Sequence, residues 1–503
     1  FPSSCDGYND PRAPSSRKGW ERPQMANPDH VAQLRAGRWN EWRAANPNLA
    51  PDLIDAELAE MDLRGLNFSK AHLKGANFTN SNLDGADLSR AILEAAVVRG
   101  ASMVGARLDH VRFEFLDMSE LDLSNASLRE SIFRGANLTK AVLRRADLSR
   151  ANLESAILDR ADLSGASLVA ASLRGARFDR TILRGIDAEM AIMEGVEFSD
   201  LSLEGASFKN AQGDNAQFKN SRLNRADFRA AALRNTNFHS CVLTEAIFDD
   251  AQCEGASFGH ADLEKTSFVK TNLSSSDLRG SSLIGAVFDG CDLHSANLAE
   301  LDFRSPSLGH VSFGSANLKK AIFSRCELRS VNFREANLEQ ADFRHAFLEG
   351  ANFRGAKFFD ATFRHANLKQ AHLDGCQGGG ADLSGTSLIL ASAPGAKLNG
   401  ADLRFADAVG IDLDKADLRW SDLRNADFTK ANIATARLWG CQVKNTKLPP
   451  NMGHWTVLLK ISQGFQMISR RADKMKEARE RKRIRQVAEL VRDREKARKR
   501  RAR

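Results

Sequence analysis

From Leu53 to Leu448 the chain repeats a five-residue pattern in which the first residue is small and the third is usually Leu or Phe. The other three positions are mostly Asp, Asn, Ser, Arg, Lys, Glu or Gly. About eighty such fives follow one another without a change of frame. A period of five fits neither the 3.6 residues of a helical turn nor the alternation of a flat strand. The pattern therefore predicts a β-solenoid that turns a corner once per five residues, with the first and third residues inside.

One short repeat cannot bury its apolar residues alone, whereas stacked coils create a continuous core and hydrogen bonds between neighbouring coils. Residues 51–450 are therefore predicted to form one repeat architecture, although a chain of 503 residues would ordinarily suggest several domains. The whole chain contains 29 Phe but only one Tyr, which suits a dry core in which a hydroxyl would lack a partner.

Large aromatic residues recur inside the predicted solenoid at every tenth position. This holds from Phe198 to Phe268, and again from Phe303 to Phe363 in a frame shifted by five. We interpret the alternation with Leu as constant filling of each coil, because packed cores tolerate neither voids nor overfilling; a ligand-lined channel is the alternative. The residues assigned to this structural core include Phe198, Phe208, Phe218, Phe228, Phe303, Phe313, Phe323 and Phe333.

A few fives lack a large third residue. The weakest stretch comprises CQGGG at 376–380 and ASAPG at 391–395. Missing core volume there is expected to bend or loosen the solenoid, and a hinge or a partner contact is an alternative interpretation. The small third residues are Ala188, Gly213, Gly378, Ala393 and Ala408.

Fives such as ADFTK, ANIAT and ARLWG resemble the A(D/N)LXX pattern of the pentapeptide-repeat family. This resemblance implies an all-β solenoid, specifically a right-handed quadrilateral β-helix with four fives per coil. About twenty coils at ~4.8 Å spacing would form a rod roughly 95 Å long.

The segment before the repeats divides into two parts. Residues 1–28 are rich in Pro, Ser and Gly and are expected to be a disordered leader, with Met25 as a candidate initiator. Residues 29–50 are predicted to cap the first coil with one helix that begins at Asp29 and stops at Pro47. Val31, Leu34, Trp39 and Trp42 form its apolar face, and its sequence resembles the segment that precedes the repeats in related bacterial proteins.

Two further segments follow the repeats. Residues 451–469 place apolar side chains at helical spacing and are predicted to form a C-terminal capping helix over Trp420 and Trp439, with a partner groove as the alternative. Residues 470–503 are predicted to form a basic helical tail, because Glu and Arg alternate there at three- and four-residue spacing.

Charge is unevenly distributed along the chain. Residues 51–450 contain 47 basic and 53 acidic residues, whereas residues 451–503 contain 18 basic and 6 acidic ones. We expect the tail to contact an electrostatic partner, either nucleic acid, acidic protein or an anionic surface; a solubilising tail is the alternative. The candidate partner-binding residues are Arg481, Lys482, Arg483, Arg485, Arg498, Lys499, Arg500 and Arg501.

The repeats offer no catalytic signature. HExxH and Walker-type motifs are absent from the sequence, and the carboxylates recur at the outward position before the third residue. Five of the seven cysteines occupy small inward positions and Cys253 a central one, which indicates reduced, buried thiols. His345 and His365 are the one pair considered for a metal, and a solvated histidine ladder is the favoured interpretation. We therefore predict no enzyme, no cofactor and no metal site.

In the C-terminal half, basic residues also recur at intervals of twenty residues or a multiple of twenty, the length of one predicted coil. These residues are Arg304, Arg344, Arg364, Arg404, Arg424 and Lys444. Asp302, Asp342, Asp402 and Asp422 lie beside them in the sequence, so a self-neutralised charge ladder is predicted.

These features predict a non-enzymatic, rod-like scaffold for protein–protein interaction, tethered by the basic tail, with an unknown protein partner and an open oligomeric state. One alternative, which the family resemblance suggests, is a DNA mimic that binds and protects a type II topoisomerase, although the charge of residues 51–450 is weak beside that of duplex DNA. Another is nucleic-acid binding through residues 470–503. The sequence contains no apolar run long enough to span a membrane and no secretory signal, so a cytoplasmic location is expected.

Overall fold

The computed structural model describes residues 25–450, and the chain divides into two compact units, Phe1–Ala232 and Leu233–Arg503. The predicted leader up to residue 24, the capping segment 451–469 and the basic tail 470–503 lie outside the described residues.

Both units consist of coils of twenty residues, or four fives. In unit 1 the second residue of nearly every five forms a parallel bridge with the residue twenty positions further on, from Asp52 with His72 to Gln212 with Ala232. In unit 2 the same bridges run from Asn237 with Ser257 to Asp427 with Lys447. A bridge of one residue per five leaves the rest of each five for a corner, so each coil has four sides, as in a quadrilateral β-helix.

A fixed set of backbone hydrogen bonds joins each coil to the next. The Leu53 amide donates to the His72 carbonyl (2.8 Å), and the His72 amide donates to the Pro51 carbonyl (2.7 Å). Within the corner, the Ala56 amide donates to the Leu53 carbonyl (3.2 Å), and Asp55 adopts a positive φ of 53°. Because the last residue of each five turns through this left-handed conformation, Gly and Asn are frequent there.

The core lies along the axis of the coils. The third residue of every five from Leu53 to Leu438 is buried. In unit 1, Phe198 stacks on Phe218 with ring centroids 5.0 Å apart and meets Phe208 at an angle of 60°. Stacked contacts therefore join residues twenty apart, and edge-to-face contacts join residues ten apart, both favourable aromatic geometries. The same arrangement in unit 2 involves Phe303, Phe313, Phe323 and Phe333.

The expected loosening at residues 376–380 is not observed. The Gly378 amide still donates to the Lys397 carbonyl (2.9 Å), and Gln377 bridges Lys397. A Cβ placed on Gly378 would lie 2.0 Å from Cε2 of Phe358. The Phe358 ring thus occupies the space that a side chain at position 378 would need, so no core volume is missing at that position.

Two short helices precede the coils, where the sequence predicted one. Helix α1 spans Pro28–Arg35 and helix α2 spans Trp39–Ala45. Gly37 between them has a φ of +68°, which breaks the helical path. The N-cap is Asn27 rather than Asp29, because the Asn27 side chain accepts a hydrogen bond from the Asp29 amide (2.9 Å). Helix α1 therefore begins one residue before the predicted capping segment of residues 29–50.

These helices supply hydrogen-bond partners to backbone groups at the open edge of the first coil. The Asp52 amide donates to Nδ1 of His30 (3.0 Å) and the Asn67 amide to Oδ1 of Asn40 (2.9 Å). Trp39 Nε1 donates to the Asn67 carbonyl (2.8 Å), and the Trp39 ring lies 5.3 Å from that of Phe68. In later coils the groups corresponding to Asp52 and Asn67 pair with the preceding coil, so α1 and α2 replace a missing neighbour.

Candidate interaction surface

Arginine and aspartate side chains alternate along one side of unit 2. We call this side the arginine face. The Arg404 guanidinium donates from Nε to Oδ1 of Asp402 (2.9 Å) and from Nη2 to Oδ2 (2.6 Å). Arg344 and Arg424 bind the aspartates two residues before them in the same way. The arginine face comprises residues 341–345, 361–365, 381–385, 401–405 and 421–425, which the bridges place one above another.

Hydrogen bonds fix the charge state of these pairs. Partial burial acts to raise the pKa of Asp402, but hydrogen bonds from the Arg404 side chain and backbone amide outweigh it, so that pKa is lowered. The hydrogen bond to Asp402 raises the pKa of Arg404. Together with the equivalent pair of Arg304 and Asp302, these contacts confirm the self-neutralised ladder at four of its positions.

The ladder is interrupted in the middle of the arginine face. Thr362 stands where the neighbouring coils have aspartate, and Arg364 forms no ion pair with any carboxylate of the described residues. In the next coil Ser384 replaces arginine. Ser384 is only 6% exposed, and its Oγ has no hydrogen-bond partner within residues 25–450. This stretch therefore contains an arginine without an ion pair, an aspartate (Asp382) in the next coil without one, and an unsatisfied hydroxyl, all within the described residues.

Aromatic side chains border the interruption at one corner. The rings of His345 and His365 stack with centroids 5.3 Å apart, as predicted for a histidine ladder. A Cβ on Gly385 would lie 2.5 Å from Nδ1 of His365, so the imidazole covers that glycine. Phe405, one coil further on, is 64% exposed. We call His345, Arg364, His365, Ser384 and Phe405 the open patch.

The open patch could be recognised only in part from the sequence. Arg364 appeared there as one member of a regular row of cations, and nothing distinguished it from Arg344 or Arg404. Two substitutions in the repeat pattern could have indicated the open patch. Thr362 stands twenty residues from aspartates on either side, and Ser384 stands twenty residues from arginines on either side. The candidate tail residues, Arg481 to Arg501, lie outside the described part of the chain, so they cannot be placed relative to the open patch.

A second polar feature lies beside the N-terminal helices. A cleft of about 390 Å³ is lined by Asn40, Arg43, Asn67 and Ser69, among others. Arg43 donates to the carbonyl oxygens of Leu49 (2.6 Å) and Ser69 (3.1 Å). Desolvation by burial lowers the pKa of this guanidinium. Because its donors bind backbone carbonyls at the edge of the first coil, we assign Arg43 to capping.

All six cysteines in the described residues are buried. Burial raises the pKa of Cys326 and of Cys441 to about 12, and it also raises those of Cys253 and Cys376. Since the thiolate is the reactive form, these side chains are poor nucleophiles and poor metal ligands in the folded chain. Among residues 25–450, no three side chains of His, Cys, Asp or Glu are grouped so that they could hold a metal ion.

Thiol labelling tests this burial. In a Cys5→Ser variant at pH 8, we expect the six buried thiols to react with a disulfide reagent only as fast as the coils open, and all six to react at once in denaturant. Ellman's reagent with stopped-flow absorbance measures both rates. Rapid reaction of any of the six in native buffer would contradict the buried packing of the cysteines.

The ion pair between Lys447 and Asp427 predicts that the stability of the fold depends on pH. Lys447 Nζ donates to Oδ2 of Asp427 (2.8 Å), and this bond, with those from the hydroxyl and amide of Thr429, lowers the pKa of Asp427 to about 2. An aspartate in the unfolded chain has a pKa of about 3.9, so the ionised Asp427 side chain stabilises the fold above that pH. This contribution to stability is lost as the pH falls through about 2. Asp427→Asn should therefore be less stable than the wild type at pH 7, and the difference should shrink between pH 4 and pH 2. Denaturant titrations at a series of pH values measure it; a difference independent of pH would refute the assignment.

No helix in residues 25–450 has the length and apolar composition needed to cross a membrane.

Comparison with known proteins identifies the repeat. A family model described as pentapeptide repeats matches residues 52–90, 71–109, 106–145, 146–185, 379–414 and 411–448. A second, described as pentapeptide repeat region, matches residues 189–258, 256–333 and 303–373. The recognition made from the sequence is thereby confirmed. A search of curated proteins finds no match.

Several solved structures are similar to the chain over part of its length. HetL, a pentapeptide repeat protein involved in heterocyst differentiation regulation in Nostoc sp. strain PCC 7120, is 26% identical, with 54% of this chain and 96% of HetL covered and a TM-score of 0.16. QnrB1, a plasmid-mediated fluoroquinolone resistance protein, is 24% identical, with 42% and 95% covered and a TM-score of 0.20. Rfr23 from the cyanobacterium Cyanothece 51142 is 22% identical, with 34% and 97% covered and a TM-score of 0.16.

Proposed function

The chain belongs to the pentapeptide-repeat family, and from this premise we propose that it is a non-enzymatic scaffold that binds other proteins through the outward side chains of its coils. Members of the family generally act through interaction rather than catalysis. The proposal places the principal contact at the open patch of unit 2 and gives the basic tail a secondary, tethering role.

The observation that carries this proposal is the composition of the open patch. It combines the exposed ring of Phe405 with the exposed guanidinium of Arg364, which forms no ion pair among the described residues, and the stacked imidazoles of His345 and His365. Aromatic and arginine side chains dominate the binding energy of protein interfaces when a partner removes them from water. The buried hydroxyl of Ser384 offers a hydrogen bond to a partner that displaces the neighbouring side chains.

The surroundings of the open patch favour binding, because they are already ordered. Arg344, Arg404 and Arg424 are each held by two side-chain hydrogen bonds to an aspartate. Side chains that are fixed before binding lose little conformational entropy when a partner arrives. The arginine face can therefore act as a rigid, polar rim around the more apolar patch.

Charge pairing argues against the topoisomerase-protecting DNA mimic. A protein that replaces duplex DNA needs rows of free negative charge, since duplex DNA carries one charge per about 1.7 Å of its axis. On the arginine face, Asp342, Asp402 and Asp422 are each bound by an arginine. We therefore retain protein binding at the open patch as the proposed function.

A pair of double variants tests the proposal. We expect Arg364→Glu/Phe405→Ala to reduce capture of a specific protein from cell lysate at least about tenfold, because each truncated hot-spot side chain typically costs more than 1 kcal/mol. The matched control is Lys357→Glu/Phe359→Ala, which makes the same kinds of change at exposed residues on another side of unit 2. Quantitative mass spectrometry of the captured proteins, with circular dichroism to establish folding, provides the measurement.

The two double variants separate the alternatives. A partner that is kept by the control and lost by Arg364→Glu/Phe405→Ala supports the open patch. If both variants capture the same proteins as the wild type, the open patch is not the binding surface.

A further inference from the structure

The described residues stop at the last coil of unit 2, so the outer edge of that coil has no neighbour among them. The final backbone bond between coils joins the Phe428 amide to the Lys447 carbonyl (2.8 Å). Beyond it, the amides of Ile433 and Leu438 have no backbone acceptor among residues 25–450, although both residues are almost completely buried. The spacing of the earlier coils would place their acceptors at residues 452 and 457, which lie outside the described residues. A buried amide without a partner costs about 1–3 kcal/mol, so an acceptor from elsewhere is needed.

The core is exposed at the same end. Val443 and Leu448 are only half-buried, whereas the third residue of every preceding five is buried. Trp420 and Trp439 lie at the adjoining corner with ring centroids 4.2 Å apart, and they remain 54% and 68% exposed. Exposed apolar side chains and amides without a described acceptor thus lie at the same end of unit 2. Such a surface is expected to be covered by another segment or molecule.

We propose that residues 454–468 of the same chain cover this edge. The described residues end at Pro450, immediately beside the open coil, so the following segment has a high effective concentration there. That segment carries Trp455, Leu458, Ile461, Phe465 and Ile468 at spacings of three and four residues, and Lys460 is its one residue of type Asp, Glu, Lys or Arg.

The charge near the edge favours residues 454–468 over residues 470–503 as its cover. Arg437 and Lys444 near the edge form no ion pair with any described residue, whereas Lys447 is paired with Asp427. Residues 470–503 are strongly basic and would be repelled by Arg437 and Lys444. An apolar segment with a single charge can pack against Trp420 and Trp439 without that penalty.

Two substitutions in the full chain test the proposal. Leu458→Glu places a charge on the apolar side of the segment, whereas Gln463→Glu places the same charge on its polar side as a matched control. We expect the amides of Ile433 and Leu438 to exchange with deuterium at least about tenfold faster in Leu458→Glu than in the wild type, and Gln463→Glu to leave them unchanged. Hydrogen exchange with mass spectrometry reads out these amides without requiring any known partner.

Other occupants give different results. If a second copy of the chain covers the edge, protection of Ile433 and Leu438 will rise with protein concentration, and light scattering will show a dimer. If Leu458→Glu leaves the exchange of both amides as slow as in the wild type, residues 454–468 do not cover the edge. Either result overturns the proposal.

Discussion

Replacing Phe333 with alanine is expected to destabilise unit 2 by about 3–5 kcal/mol, the cost of removing a fully buried phenyl ring from a close-packed core. The Phe333 ring stacks on those of Phe313 and Phe353 with centroids 5.2 Å and 5.0 Å away. It also meets Phe323 and Phe343 edge to face. Because the stability of a repeat protein depends on contacts between neighbouring repeats, one cavity weakens the coils on both sides of it.

Phe347→Ala is the matched control for Phe333→Ala. Phe347 lies in the same unit but is 40% exposed, and its ring contacts the Arg329 guanidinium at 5.6 Å. Its removal should cost about 1 kcal/mol or less, since an exposed cation–π contact is worth about 0.5–1 kcal/mol. Denaturant unfolding followed by circular dichroism compares the two variants. Equal destabilisation would show that Phe333 does not pack as the core of unit 2.

Gly378→Leu is expected to destabilise unit 2 by about 1–3 kcal/mol, even though leucine is the ordinary residue at this position of a five. The reason is the Phe358 ring, whose Cε2 would lie 2.0 Å from a Cβ at position 378. Phe358 in turn packs edge to face against Phe363 and Phe353, with centroids 5.2 Å and 6.3 Å away, so a movement of the ring would disturb these contacts.

A double-mutant cycle distinguishes this crowding from a simple loss of glycine. Phe358→Leu makes room, so Phe358→Leu/Gly378→Leu should be more stable than Gly378→Leu by about 1–3 kcal/mol, as expected for residues in contact. The control is Gly378→Leu combined with Phe347→Ala, which should show no such recovery. If the two substitutions at 358 and 378 are simply additive, Phe358 does not fill the space above Gly378.

The coil architecture was readable from the sequence because one physical rule governs every five. Small first and large third residues must point inward, and the turn requires a residue that tolerates positive φ. The positions of Phe198 and Phe303 in two different frames likewise predicted their stacked columns, since rings twenty residues apart occupy the same side of successive coils.

The departures from this regular architecture could not be predicted from the five-residue repeat. Phe358 leans into the neighbouring coil and fills the gap at Gly378, a choice of side-chain direction that the repeat pattern does not encode. Gly37 divided a predicted helix into two because its left-handed conformation outweighed the helical spacing on both sides of it. The open patch emerged only when the pairing of each arginine was known, because Arg364 is distinguished by the aspartate that it lacks.

The central claim, that coil side chains bind a protein partner, is tested most directly by capture from nuclease-treated lysate with two chains, the full chain and one ending at Ser469. We predict that a discrete protein is retained by both at high salt and is lost from both when Arg364→Glu/Phe405→Ala is introduced. If everything captured depends on residues 470–503 and is released at high salt, binding is electrostatic through the basic tail, and the coils are not the binding surface.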